Sequence, residues 1–212
     1  MISGIVRLCR SSLLPGLLIA GVSAAMAAAE PEAPEAAAHE NASRPWDVER
    51  LMSELGRVQQ ARARFVERKY LKVLKSPLEA AGTLEYDAPD RLVKRTLEPK
   101  PETLTVEGAR LVIESQGRRR TLRLEDYPVL WAFVESFRST LKGDLAALQR
   151  FYRVTLEGGP QRWQLALTPR DPKMSTLIES ILIGGGGGRI SRIEIREAQG
   201  DRSVMTVLED AP

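Results

Sequence analysis

The side chains that could do chemistry in this chain are few and poorly grouped. His39 is the only histidine and Cys9 the only cysteine. A lone histidine with no cysteine near it supports neither a zinc site nor a Ser-His-Asp arrangement. His39 also falls in a stretch rich in Ala, Pro and Glu, where nothing would hold a general base in place. The carboxylates are scattered among basic residues, and no pair stands apart as an acid–base couple. Glu125-Asp126 precedes a helical pattern, where negative charge meets the helix dipole favourably and reads as capping. Gly184 to Gly188 is rich enough in glycine for a phosphate cradle. It lacks the Lys-Ser/Thr of a P-loop, however, and runs into a strand pattern, so it reads as a mobile loop. Arg118-Arg119-Arg120 follows the Gln116-Gly117 turn. It is either a solvated hairpin tip, the reading three charges favour, or a contact for anionic lipid headgroups or an acidic partner. Trp131, Phe133 and Phe137 either line a pocket or fill a core. The chain is therefore not expected to be an enzyme, and no metal or cofactor is implied; a hydrolase has little support.

The N-terminus carries an address instead. Arg7 and Arg10 precede the apolar run Leu13 to Val22, and Ala25-Met26-Ala27 and Ala27-Ala28-Ala29 both fit an A-x-A cleavage pattern. Residues 1–29 are predicted to be a secretory signal peptide. Pro15 and Gly16 interrupt the run, which falls short of the roughly 20 residues a membrane span needs. Cys9 lies before the apolar run, whereas lipid attachment needs a cysteine directly after it, so the exported chain is expected to carry no lipid anchor. Cleavage would also leave it without a thiol or disulfide. Without Arg7 and Arg10 the chain has one more basic than acidic residue, which gives no reason to expect nucleic acid as a partner.

Residues 30–43 read as a flexible acidic linker, and residues 44–212 as a single domain. Ser43-Arg44-Pro45 looks like a helix start. Trp46, Val48, Leu51, Met52, Leu55 and Val58 then recur three and four apart, predicting an amphipathic helix to Gly56 or Val58. From Ala61 the period changes to two. Strands are predicted at Ala61 to Phe65, Ala80 to Tyr86, Leu92 to Leu97, Thr103 to Val106, Arg110 to Ser115 and Arg119 to Leu124. Connections this short force antiparallel pairing. Asp126 to Leu141 then reads as a helix apolar around much of its circumference, needing cover on more than one side. Asp144 to Arg150 adds a turn or two. Strands resume at Phe151 to Leu156, Trp163 to Leu167, Ile190 to Arg196 and Ser203 to Leu208. The order predicts an α+β fold with one large antiparallel sheet, apolar on one face. If that sheet curls and helices only partly fill it, it encloses a ligand cavity.

Several segments resemble the LolA family of bacterial periplasmic lipoprotein carriers. Arg62-Ala63-Arg64-Phe65-Val66-Glu67 is similar to the family's segment after its first helix. The likeness continues through Gly82-Thr83-Leu84-Glu85-Tyr86, Pro89-Asp90-Arg91-Leu92-Val93-Lys94 and Glu98-Pro99. It ends in Leu104-Thr105-Val106-Glu107-Gly108-Ala109-Arg110-Leu111, like the family's L-x-x-D-G-x-x-L hairpin; beyond that the likeness is one of pattern alone. The resemblance implies an unclosed, strongly curved antiparallel barrel lidded by helices over its concave apolar face, and acyl chains as ligand. It also implies an inner-membrane exporter as donor and an outer-membrane receptor as acceptor. The missing lipobox disfavours the family's anchored receptor, which has a similar fold. Two positions depart from the family: its lid-holding arginine is Ala88 here, and its aromatic residues on the next strand are Leu92 and Lys94. A lysine facing a cavity is costly unless it meets an anionic group or water, so Lys94 points to a ligand other than a triacylated lipoprotein, such as a glycolipid or acylated pigment.

The sequence thus predicts a monomeric periplasmic shuttle. Leu84, Leu92, Val106, Ile113, Leu122, Leu124, Trp131, Phe133, Phe137 and Leu165 are the expected cavity or lid residues, with Lys94 toward a headgroup. The alternative is a non-carrier envelope interaction or sensing domain of the same fold.

Overall fold

The computed structural model describes residues 45–209, and in it the period-two segments become the strands of one antiparallel sheet. The predicted signal peptide and linker, with Cys9 and His39, lie outside the described residues. Helix α1 (Val48–Gly56) comes first, burying Leu51, Met52 and Leu55 on one face. It starts later than Ser43-Arg44-Pro45 implied. Asp47 is the cap, its carboxylate accepting from the Arg50 N–H at 2.9 Å, which satisfies an otherwise orphaned donor at the positive end of the helix.

A first meander runs through β1 (Gln60–Tyr70), β2 (Leu78–Asp87), β3 (Arg91–Glu98), β4 (Glu102–Glu107), β5 (Arg110–Ser115) and β6 (Arg118–Arg123). Helices α2 (Pro128–Lys142) and α3 (Leu145–Phe151) follow. The chain then forms β7 (Tyr152–Gly159), β8 (Arg162–Pro169), the one-turn helix α4 (Pro172–Ser175), β9 (Ile178–Gly186), β10 (Arg189–Glu197) and β11 (Arg202–Glu209). The spatial order is β6-β5-β4-β3-β2-β1-β11-β10-β9-β8-β7, so pairing of β1 with β11 joins two meanders into one unclosed sheet. Strands β6 and β7 are its two edges, and the chain passes between them through α2 and α3.

The sheet must curl, because α2 touches both halves of it. The Arg138 guanidinium donates to the Gly108 carbonyl in the β4–β5 turn at 2.6 Å, and the Tyr152 hydroxyl of β7 donates to the Ala132 carbonyl at 3.0 Å. Strands β4 and β7 are eight steps apart in the sheet, which is about 38 Å if flat. The fifteen-residue helix is only about 22 Å long. The sheet therefore wraps around α2, as the circumference of that helix required. Pro128 opens it, and Gly143, at φ 69°, ends it in a left-handed cap. A Cβ on Gly143 would lie 2.2 Å from the Met52 carbonyl oxygen, so glycine also lets α2 end against α1.

Two local readings need correction. Gly184 to Gly188 is not a loop throughout: an additional strand, β9, runs to Gly186. Trp163 packs there, donating its indole N–H to the Gly187 carbonyl at 2.8 Å. A Cβ on Gly185 would stand 2.7 Å from the Trp163 ring and 1.9 Å from the Arg189 carbonyl oxygen, so the glycines make room for a ring and a strand. Likewise Glu125-Asp126 does not cap α2. Both lie in a 3-10 turn (Leu124–Asp126) that also takes Leu124 out of β6, and the cap position is Tyr127, with no side-chain bond. Glu125 instead pairs with Arg123 at 2.7 Å.

Candidate functional site

Cross-strand register identifies the face of the β3–β6 half-sheet that meets α2. One row of partners is Leu92, Val106, Leu111 and Leu122; the next, two residues along each strand, is Lys94, Leu104, Ile113 and Arg120. With Leu124 these apolar side chains form a cluster against Leu130, Trp131 and Val134 of α2. Burial near the helix follows from the alternation: Leu92, Leu104, Val106, Leu111, Ile113 and Leu122 fall on one face of their strands, and the helix supplies the cover.

The expected cavity residues divide between two clusters. Leu92, Val106, Ile113, Leu122, Leu124 and Trp131 lie together in the one just described. Leu165 lies in the other, which gathers α1 and strands β8 and β9 and includes Leu51, Leu148, Leu167, Ile181 and Ile183. Phe133 and Phe137 pack against that second cluster with their rings edge to face at 5.2 Å. Leu84 sits on β2 between Ala63 and Lys94 and is half-buried. Helix α2 thus separates its own aromatic residues: Trp131 faces one half-sheet, Phe133 and Phe137 the other. Leu104, Leu111, Leu130 and Val134 belong to the same site but were not singled out, although the alternation that marked Val106 and Ile113 applies equally to Leu104 and Leu111.

The two clusters differ in how fully they are packed. Each cluster has partly exposed side chains packed against it, but around Leu165 every buried side chain except Ala132 is at most 2% exposed, whereas under Trp131 the buried Val106, Leu111 and Val134 keep 7–8%. Two open grooves, of about 500 and 390 Å³, border these clusters but do not enter the space between α2 and the sheet rows. The first runs between α2 and α3 past Glu135, Arg138 and Arg150, and only Trp131 of the expected set reaches it. The second lies by the β3–β4 and β5–β6 turns.

Lys94 faces inward on the row of Leu104 and Ile113, and it meets an anion of its own chain. Its ammonium donates to the Glu67 carboxylate at 2.5 Å and lies 4.9 Å from the centre of the Phe65 ring. The Ser203 hydroxyl donates to the other Glu67 oxygen. Burial alone would raise the Glu67 pKa. The nearby Lys94 charge and the hydrogen bonds from Lys94 and Ser203 outweigh it, and the carboxyl stays below its ordinary value. The lysine is thus accounted for without a ligand: its side chain keeps 28% exposure to water, and the anion it meets is a carboxylate of its own chain. Glu67 and Ser203 escaped notice because 136 residues separate them and only the pairing of β1 with β11 brings them together.

A second internal polar group ties α2 down. Glu135 pairs with Arg138 at 2.8 Å and accepts from the Ser139 hydroxyl at 2.7 Å, while Arg138 reaches the Gly108 carbonyl. Nothing in the local sequence pattern pointed to this latch between helix and hairpin turn.

A family model described as outer membrane lipoprotein carrier protein LolA-like matches residues 36–211. Among solved structures the chain is similar to a LolA superfamily protein from Nitrosomonas europaea, with 14% identity and a TM-score of 0.42, covering 79% of this chain and 96% of that one. It is also similar to a putative outer membrane lipoprotein-sorting protein domain from Vibrio parahaemolyticus, with 10% identity and a TM-score of 0.43, covering 76% and 88%. A third likeness is to the MucA/MucB complex of Pseudomonas aeruginosa, with 15% identity and a TM-score of 0.41, covering 78% and 58%. No curated protein matches the chain.

Proposed function

The chain belongs to the LolA-like family of outer membrane lipoprotein carrier proteins, and on that premise we propose that it is a periplasmic carrier of acyl chains. It takes a lipoprotein or glycolipid from an inner-membrane exporter and delivers it to an outer-membrane receptor. The observation that carries this reading is the thinly packed cluster between α2 and β3–β6, which holds apolar surface on both sides and few fully buried side chains. In the described state Leu130, Trp131 and Val134 fill that face, so the ligand enters when α2 lifts from the β3–β6 half while the dense cluster around Leu165 keeps the rest together. Binding by burial needs no covalent step. Each CH₂ removed from water contributes about 0.8 kcal/mol, so a long chain suffices for tight binding, and returning α2 to its latch favours release. Among the described residues no helix is long and apolar enough to cross a membrane.

The test is native mass spectrometry of the protein purified from its own envelope, together with uptake of a fluorescent fatty acyl probe. Co-purification of an acylated species and saturable uptake are expected. If neither occurs, the carrier reading is wrong, and the envelope interaction domain takes its place.

A further inference from the structure

The arginine triplet of the β5–β6 hairpin is split by the pleat. Arg118 and Arg120 alternate with Leu122, which packs in the cluster under α2, so all three occupy the inward face. Arg119 points the other way and pairs with Glu114, its cross-strand partner, at 3.4 Å. Neither Arg118 nor Arg120 has an ion-pair partner among the described residues.

The inward face of the β3–β6 half is consequently graded along its strands. Its first row is apolar from Leu92 to Leu122, its second ends in Arg120, and its third runs Thr96, Glu102, Ser115 and Arg118. Successive rows are about 7 Å apart. Of the acids on this face Glu67 is taken by Lys94, Glu102 lies two strands from Arg118, and Glu98, at the end of β3, lies three.

We infer that this face binds an amphiphile of one orientation, its acyl chain under α2 and an anionic phosphate headgroup at Arg120 and Arg118. The inference rests on the carrier reading and adds a ligand class to it. A guanidinium fork suits phosphate oxygens, and two of them side by side on an edge strand receive a charge that the apolar rows would reject. An arginine-rich edge also discourages pairing with another sheet, but that role makes no distinction between faces.

The experiment compares uptake of pyrene-labelled phosphatidylglycerol and of the phosphate-free diacylglycerol with identical acyl chains, using the wild type, the double variant R118Q/R120Q, and R119Q. The wild type is expected to prefer phosphatidylglycerol by about fivefold, the sum of two partly exposed charge contacts. R118Q/R120Q should lose the preference, its phosphatidylglycerol uptake falling to the wild-type level for diacylglycerol, and R119Q should retain it. Equal uptake of both lipids by the wild type overturns the inference and leaves the carrier reading standing. So does a preference that survives R118Q/R120Q or that R119Q reduces equally. Uptake of neither lipid removes the carrier reading and the inference with it.

Discussion

Lys94 shows how one residue changes meaning once its surroundings are known. A cation on an apolar row demands a counter-charge, and the fold supplies Glu67 from two strands away. Lys94→Met therefore leaves a largely buried carboxylate unpaired. It is expected to cost about 1–3 kcal/mol in urea unfolding at pH 7, well short of a fully buried pair because both groups retain some contact with water. Because the Glu67 pKa is lowered in the folded state, its contribution is full above its ordinary value near 4.5 and is lost as pH falls through the lower folded value. The difference in stability between wild type and Lys94→Met should accordingly shrink over that acid range. A constant difference down to pH 3 would show that the ion pair does not account for the cost.

At the scale of elements, α2 is held by a dense cluster on one side and by Arg138 on the other. Arg138→Ala removes the bond to Gly108 and leaves Glu135 without its cation. Faster amide hydrogen exchange in α2 is expected, together with faster release of a bound acyl probe and unchanged protection of β8 and β9. If α2 and β8 lose protection together, the latch is part of the general fold and not a separate device. The β9–β10 hairpin makes a different prediction. Gly185→Ala forces a Cβ into the Trp163 ring and the Arg189 carbonyl and should cost about 2–3 kcal/mol in thermal or urea unfolding. At Gly187 nothing lies within 4 Å, so Gly187→Ala meets only the strain of its φ of 55° and should cost about 1 kcal/mol.

For the molecule as a whole, the consequence is a division of labour between the two halves of the sheet. Leu165 is fully buried among other buried side chains, and Leu165→Ala should cost about 2–5 kcal/mol of stability. Leu111 lies in the sparse cluster and is 7% exposed, so Leu111→Ala should cost about 1–2 kcal/mol less than that while weakening retention of an acyl probe more. The comparison needs urea midpoints and probe dissociation for both variants. Equal losses of stability, with equal effects on the probe, would mean that the two halves form one core.

What the sequence determined by itself was the order and type of most elements. A period of two marks runs such as Ala61 to Phe65, where Arg62 and Arg64 alternate with apolar residues, and the short turns between strands leave no choice but antiparallel pairing. It also disclosed that α2 would need cover on more than one side, from Val129, Phe133, Phe137 and Leu141 with Leu130, Trp131 and Val134 alongside. Leu92, Val106, Ile113 and Leu122 were legible as apolar residues of separate strands, but that they share one face is set by the register of β3 to β6. Only the tertiary structure decided which face each cluster covers. It placed Leu165, Phe133 and Phe137 apart from Trp131, joined Glu67 to Lys94 and Ser203, set Arg138 on Gly108, and turned a glycine run into a strand that seats Trp163. Each of these depends on the pairing of β1 with β11, on the close packing of β8 against β9, or on the curl that brings both halves of the sheet to α2. Periodicity reports how one segment divides its two faces, but not which distant segment comes to lie against them.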